Sequence, residues 1–97
     1  MYKFIKLEPA TDQKHKYVVT LQNLKTNRLN NIKFGAYGMS DFTQHKDESR
    51  RLRYEERHIK RENWNDPGTA GFWAFHILWD KPTIQSALKS TIKKYNL

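Results

Sequence analysis

The chain has 97 residues, no cysteine and a net charge of +8 at pH 7. This length favours one domain, residues 1–97, with a small core, and the missing cysteine excludes disulfides and thiolate metal sites. The positive charge favours anionic partners (nucleic acid, acidic protein or a membrane surface) without choosing among them.

The N-terminal part, residues 1–38, is predicted to be mainly β-structure. Residues 2–7 alternate apolar and charged side chains and are closed by Pro9. Residues 17–21 are rich in β-branched and aromatic side chains, and residues 29–34 form a weaker run after a polar turn. This pattern predicts a hairpin within a small antiparallel sheet of about three strands.

A surface helix is predicted to follow the sheet. Asp47 is expected to cap it, because an aspartate side chain accepts hydrogen bonds from the free amides of a first turn. The helix is predicted to run to about Glu62 and to pack through a narrow stripe, since its apolar residues are few.

Two further helices are predicted in the C-terminal part. Thr69 is expected to cap residues 70–78, which are apolar nearly all round and therefore must be buried. Pro82 is placed in the first turn of the last helix, whose apolar residues fall on one stripe. With residues 47–95 mainly helical, the expected fold class is α+β: about three strands, then about three helices.

Membrane and secretion signals are not expected. The N-terminal segment mixes apolar and charged residues, and it lacks the continuous apolar stretch that a signal peptide needs. The longest apolar run, residues 70–79, is far below the roughly 20 residues that span a bilayer. We therefore expect no transmembrane helix.

No recognisable catalytic or metal-binding motif appears. The four histidines are never three or four residues apart, so metal-ligand spacing is missing, and a structural role is preferred for His76. Glu62 and Asp66 could flank a cleft, although ion pairing at a helix end is the simpler account. The weakest alternative is an enzyme that uses His45, His58 and Asp66. We expect no enzyme, no metal and no cofactor.

Nucleic-acid binding is a serious alternative, because lysine and arginine neutralise phosphates while aromatic rings stack on bases. Residues 1–46 hold eight Lys/Arg against three acids, whereas residues 47–62 hold six against five. The acids of the helix are expected to weaken its positive field. The candidate residues are Arg50, Arg51, Arg53, Arg57, Lys60 and Arg61 on the helix, and Lys14, Lys16, Lys25, Arg28 and Lys33 on the sheet side.

Four segments of the chain, in this order, resemble a known group of proteins: residues 34–47, 57–64, 69–73 and 78–83. They are similar to small basic proteins, largely uncharacterised, that are encoded by large double-stranded DNA viruses of algae and other protists. The resemblance covers about residues 34–88 and leaves the N-terminal third as the variable part. It implies a viral setting, and the group has no established catalytic residues to assign to this chain.

Together, these features favour a structural virion component: a minor capsid or cement protein that bridges larger capsid proteins, with the virion, and the host cytoplasm during assembly, as its location. Large aromatic side chains in desolvated pockets dominate interface energies, and basic residues around them match acidic partners. For Trp73 and Trp79, a place in the domain's own core is at least as well supported. The alternative is a protein packaged with the genome that binds DNA without sequence preference. The predicted aromatic anchors are Trp64, Phe72, Trp73 and Trp79.

Overall fold

The structure, a computed structural model, describes residues 1–60 and 63–97. An antiparallel sheet in the order β1-β2-β3 comes first and helices follow, which confirms the α+β class. The strands are β1 (Tyr2–Pro9), β2 (His15–Asn23) and β3 (Leu29–Ala36). The helices are α1 (Phe42–His45), α2 (Glu48–His58), α3 (Ala70–Trp73), which continues without a break as a π-helical segment (Ala74–Trp79), and α4 (Ile84–Tyr95).

One face of the sheet supplies half of the core. Side chains alternate between the faces of a strand, so Val19 and Leu21 of the central strand point the same way. Val19 lies between Leu7 of β1 and Ile32 of β3, and Leu21 pairs with Phe4. Val19 and Leu21 are completely buried, which makes β2 the centre of the sheet side of the core.

The other half of the core comes from the C-terminal helices. Phe72 and Trp73 of α3, Ile77 and Leu78 of the π-helical segment, and Ala87 of α4 pack against the sheet in one buried cluster. The sequence predicted this apolar helix to be buried, and it is. No helix within the described residues is both long enough and apolar enough to cross a bilayer.

Helix α1 was not predicted. Asp41 begins it: the carboxylate accepts from the amide of Thr43 at 2.9 Å, and the side chain of Gln44 accepts from the amide of Asp41 at 3.1 Å. This reciprocal arrangement is a capping box. The helix ends at Lys46, which is left-handed at φ 55°. His45 is half-buried at the end of this helix.

The caps of the longer helices agree with the sequence except at Pro82. Asp47 caps α2 and Thr69 caps α3, both as predicted. Pro82 lies outside α4, because the side chain of Thr83 accepts from the amide of Ser86 at 3.2 Å and so begins the helix one residue later. The predicted end of α2 at Glu62 lies outside the described residues; the observed helix ends at His58.

Candidate nucleic-acid interface

Two of the four predicted aromatic anchors are core residues. Phe72 and Trp73 have no exposed surface, and the Nε1 of Trp73 donates to the carbonyl oxygen of Pro67 at 2.8 Å. The indole ring is therefore buried inside the domain, and its N–H group has a hydrogen-bond partner there. A partner could reach these two side chains only by opening the core, which takes them out of the predicted partner surface.

The other two predicted anchors are half-buried and stack on rings of their own chain. Trp64 lies 3.9 Å from Phe75 between ring centroids, and Trp79 lies 4.3 Å from Tyr54. Both pairs are nearly parallel. The stack on Trp79 attaches α2 to the π-helical segment, so this tryptophan has a structural role within the domain.

The histidines of the enzyme alternative lie at opposite ends of that stack. The ring order is His45, Trp79, Tyr54, His58, with successive centroids 5.4, 4.3 and 4.2 Å apart. Two aromatic rings therefore separate the imidazoles. Asp66 lies in the loop before α3, where its carboxylate accepts from the amide of Gly68 at 2.9 Å. The structure does not bring the two histidines together.

Arg51 collects the acidic side chains near α2. Its Nε donates to the carbonyl oxygen of Trp79 at 3.0 Å, and its terminal nitrogens lie 3.3 to 3.6 Å from Glu48, Glu55 and Asp80. Arg51 is one of the residues predicted to bind nucleic acid. The structure assigns it instead to the contact between α2 and the C-terminal helices, where it also pairs with two acids of the helix, Glu48 and Glu55.

The remaining arginines of α2 lie on a different side of the helix. Arg50, Arg53 and Arg57 are three and four residues apart, which places them along one stripe. All three are exposed, and none forms an ion pair with an acid in the described part of the chain. Together with Met39 and Ser40 they line a groove of about 430 Å³, which we call the arginine groove. Its remaining lining residues are Glu56 and Trp79.

The arginine groove is bordered by the loop after β3, and a second cavity connects it to the sheet. The guanidinium of Arg50 donates to Ser40 Oγ at 3.0 Å, which connects α2 to this loop. Arg57 also lines a neighbouring cavity of about 470 Å³ that reaches His15 and Lys33. Lys33 is exposed but lies 3.6 Å from the carboxylate of Asp12, so its charge is paired with an acid.

His15 is held in place by Asp12. The carboxylate accepts from His15 Nδ1 at 2.8 Å and from the amides of Lys14 and His15 at 3.0 Å each. The side-chain hydrogen bond from His15, followed by those two amides, keeps the pKa of Asp12 far below its ordinary value. Asp12 is therefore ionised at neutral pH. The pair was not predicted, because no recognised motif joins Asp12 and His15 in the sequence.

The other predicted basic residues divide into three sets. Lys16 forms an ion pair with Asp41 and is mostly buried, so it is not part of the exposed basic surface. Lys25 and Arg28 lie at the hairpin between β2 and β3, about 25 Å along the strand from the groove end of the sheet. Lys14 and Lys60 are exposed near the ends of β2 and α2. Arg61 lies outside the described residues.

The described residues do not include a cluster of metal-binding side chains. Within residues 1–60 and 63–97, no three His, Asp or Glu side chains are grouped so that they could hold a metal ion. The arrangement that remains is electrostatic: exposed guanidinium groups in a groove, beside a loop that carries aromatic and apolar side chains.

Comparison with known proteins identifies a family and no function. No curated protein and no solved structure matches the chain significantly. A model described as a family of unknown function, DUF5754, matches residues 5–58, which is more than half of the sequence. The match includes most of the sheet and all of α1 and α2, with the arginine groove's Arg50, Arg53 and Arg57. The description names no source, so the resemblance to viral proteins stays a prediction. The chain belongs to the DUF5754 family of unknown function.

Proposed function

We propose that this protein binds nucleic acid by contacting phosphates in the arginine groove, without recognising a particular base sequence. The observation that carries the proposal is the position of Arg50, Arg53 and Arg57: exposed, on one stripe, and without an acidic partner among the described residues. Arginine suits this role because its planar guanidinium presents several donors to phosphate oxygens.

The dimensions of the stripe fit a nucleic-acid backbone. At 1.5 Å per residue, the helix rises about 10 Å from Arg50 to Arg57, which is close to the axial rise of about three nucleotides in one strand of a duplex. Three exposed guanidinium groups side by side in one groove form a basic site of the kind that contacts phosphates.

The experiment that tests this proposal is a salt titration of binding. Fluorescence anisotropy of a labelled oligonucleotide gives the affinity of the purified protein at increasing salt. We expect log K to fall linearly with log salt, and Arg53→Gln to reduce the slope by about 0.7 to 0.9, the value for one lost phosphate contact. Binding independent of salt would contradict phosphate recognition.

The matched control is Arg28→Gln, which removes the same charge from the distant hairpin. We expect this variant to bind with nearly the affinity and salt slope of the original protein. If Arg28→Gln weakens binding as much as Arg53→Gln does, the protein attracts nucleic acid through net charge alone, and the proposed groove is wrong.

A second proposal is the bridging of capsid proteins by a virion component. The observation that favours it is a pair of apolar residues, Leu52 of α2 and Ile59 just after its end, which are 53% and 59% exposed. This proposal replaces the buried Phe72 and Trp73 with an exposed apolar stripe. Mixing the protein with capsid proteins of a virus that encodes it should give a complex that Leu52→Asp weakens. A complex of unchanged strength contradicts this surface.

A further inference from the structure

Tyr37 is presented to solvent by a tight turn between β3 and α1. The amide of Met39 donates to the carbonyl oxygen of Ala36 at 3.2 Å, and Gly38, the third residue of this turn, has φ 85°. A positive φ at that position is required in a type II turn and is readily adopted by glycine. The amide of Tyr37 also donates to the carbonyl oxygen of Lys14 at 3.1 Å, so the backbone that carries the ring is tied to the sheet.

The side chain of Tyr37 does not contribute to the core. Its side chain is 63% exposed, and it is not among the partly buried hydrophobic residues that pack on the core. A tyrosine side chain has only two χ angles, so it loses little conformational entropy when it contacts a flat ligand. A nucleic-acid base is such a ligand, because every base has a π face.

Residues 37–40 form a ridge between two depressions of the surface. On one side lies the arginine groove, which Met39 and Ser40 line. On the other side lies a cleft of about 720 Å³, to which Tyr37, Tyr17 and Ile84 contribute rings and apolar surface. We call it the aromatic cleft. The ridge therefore separates a cationic surface from an aromatic one by the width of a single loop.

The acid of the aromatic cleft does not oppose an anionic ligand strongly. Asp41 is one of its lining residues, but it is 3% exposed and forms an ion pair with Lys16. Lys46, an exposed cation, lines the same cleft. The charge of the carboxylate is thus balanced within the protein, and the accessible charge at the cleft is positive.

We propose that the preferred ligand is a single strand, with its phosphates in the arginine groove and a base stacked on Tyr37 across the ridge. This inference rests on the proposed function and adds the form of nucleic acid. A single strand offers its backbone and its unpaired bases at once, whereas the bases of an intact duplex are paired and stacked on one another. A single strand can use both the cationic and the aromatic surface. A duplex can use only the cationic one.

The experiment compares three variants on two probes: one labelled single strand of mixed sequence, and the duplex formed by the same strand with its complement. Tyr37→Ala is expected to weaken single-strand binding by about tenfold, the loss of one stacked base, and to leave duplex binding within about twofold. Tyr37→Phe keeps the ring and is expected to bind both probes as the original protein does. Arg53→Gln is expected to weaken both.

The outcomes separate the two proposals. If Arg53→Gln weakens both probes while Tyr37→Ala leaves single-strand binding unchanged, or weakens both probes equally, the groove stands and the single-strand inference is overturned. If Arg53→Gln has no effect on either probe, the groove itself is wrong. The thermal unfolding midpoint of Tyr37→Ala, expected to be unchanged for an exposed side chain, shows that a loss of binding is not a loss of folding.

Discussion

The indole of Trp79 lies flat on the phenol ring of Tyr54, with ring centroids 4.3 Å apart and planes within 5° of each other. Tyr54 is the buried residue of α2, and Trp79 ends the π-helical segment. Arg51, one turn before Tyr54, donates to the carbonyl oxygen of the same tryptophan. Contacts with Trp79 of the C-terminal half therefore help to position α2, and with it the arginine groove.

Replacing that residue should loosen α2 from the domain. We expect Trp79→Ala to lower the free energy of unfolding by about 2 kcal/mol, less than for a fully buried tryptophan because Trp79 is only half-buried. Urea denaturation followed by circular dichroism measures this change. Trp79→Phe keeps a ring against Tyr54 and should lose less. Equal stability of all three proteins would mean that the stack contributes nothing.

Arg51 should contribute mainly to stability, and Arg53 mainly to binding. Arg51→Gln removes a hydrogen bond to Trp79 and a partner of three carboxylates, so we expect a loss of about 1 kcal/mol, discounted because the site is partly exposed. Arg53→Gln should change stability by less than about 0.5 kcal/mol. Both variants have the same net charge, so urea denaturation compares position alone.

The converse holds for binding. Arg53→Gln should reduce nucleic-acid affinity and its salt slope, as described for the groove. A large loss of stability in Arg53→Gln would show that this arginine supports the fold, and the binding result could then no longer be assigned to a phosphate contact.

The sequence predicted the order of the longer elements because their signals are local. Asp47 and Thr69 are followed by helical segments and cap them through contacts two or three residues away. The short helix α1 had a similar local signal: Asp41 and Gln44 have the spacing of a capping box. It was missed because four helical residues show no apolar periodicity.

The candidate site was less predictable, because it depends on contacts far apart in the sequence. Six arginine and lysine side chains in residues 47–62 looked nearly neutralised by five acids. The structure places Arg51 on one side of α2 and Arg50, Arg53 and Arg57 on another, and it places Asp80, 29 residues away, beside Arg51. A narrow apolar stripe was expected to pack inwards, yet Leu52 and Ile59 are exposed and only Tyr54 is buried. Which face of a charged helix turns inward is decided by the partner, here Trp79.

Acid should destabilise the protein through His76. This side chain is buried and donates from Nε2 to the carbonyl oxygen of Trp64 at 2.8 Å. Burial lowers the pKa of His76 below its ordinary value of 6.5, an effect larger than the opposing one of the hydrogen bond. The unfolded chain therefore takes up this proton at a higher pH than the folded protein does.

The contribution of this pKa shift to the free energy of unfolding changes over a defined pH range. It is fully present above pH 6.5 and is lost as the pH falls from there towards the lower pKa of the folded state. We expect the free energy of unfolding, from urea titrations, to decrease as the pH is lowered through this window. His76→Gln keeps a donor for Trp64 and does not titrate, so its decrease should be smaller. The same pH profile in both proteins would remove His76 as the cause.

Gly35 and Gly38 form a matched pair. Their backbone conformations are similar, but the space available to an added side chain differs. Both have positive φ, 78° and 85°, so alanine is strained at each. A Cβ at Gly35 would lie 2.7 Å from Cδ1 of Leu78, a buried core side chain, whereas a Cβ at Gly38 would have no atom within 4 Å.

We therefore expect Gly38→Ala to cost about 1 kcal/mol of unfolding free energy, from backbone strain alone. Gly35→Ala should cost at least about 1 kcal/mol more, because Leu78 must leave its packed position to admit the methyl group. Urea denaturation of the two variants measures the difference. Equal losses would show that Leu78 moves aside freely, and that the core beneath the end of β3 is less tightly packed than these contacts indicate.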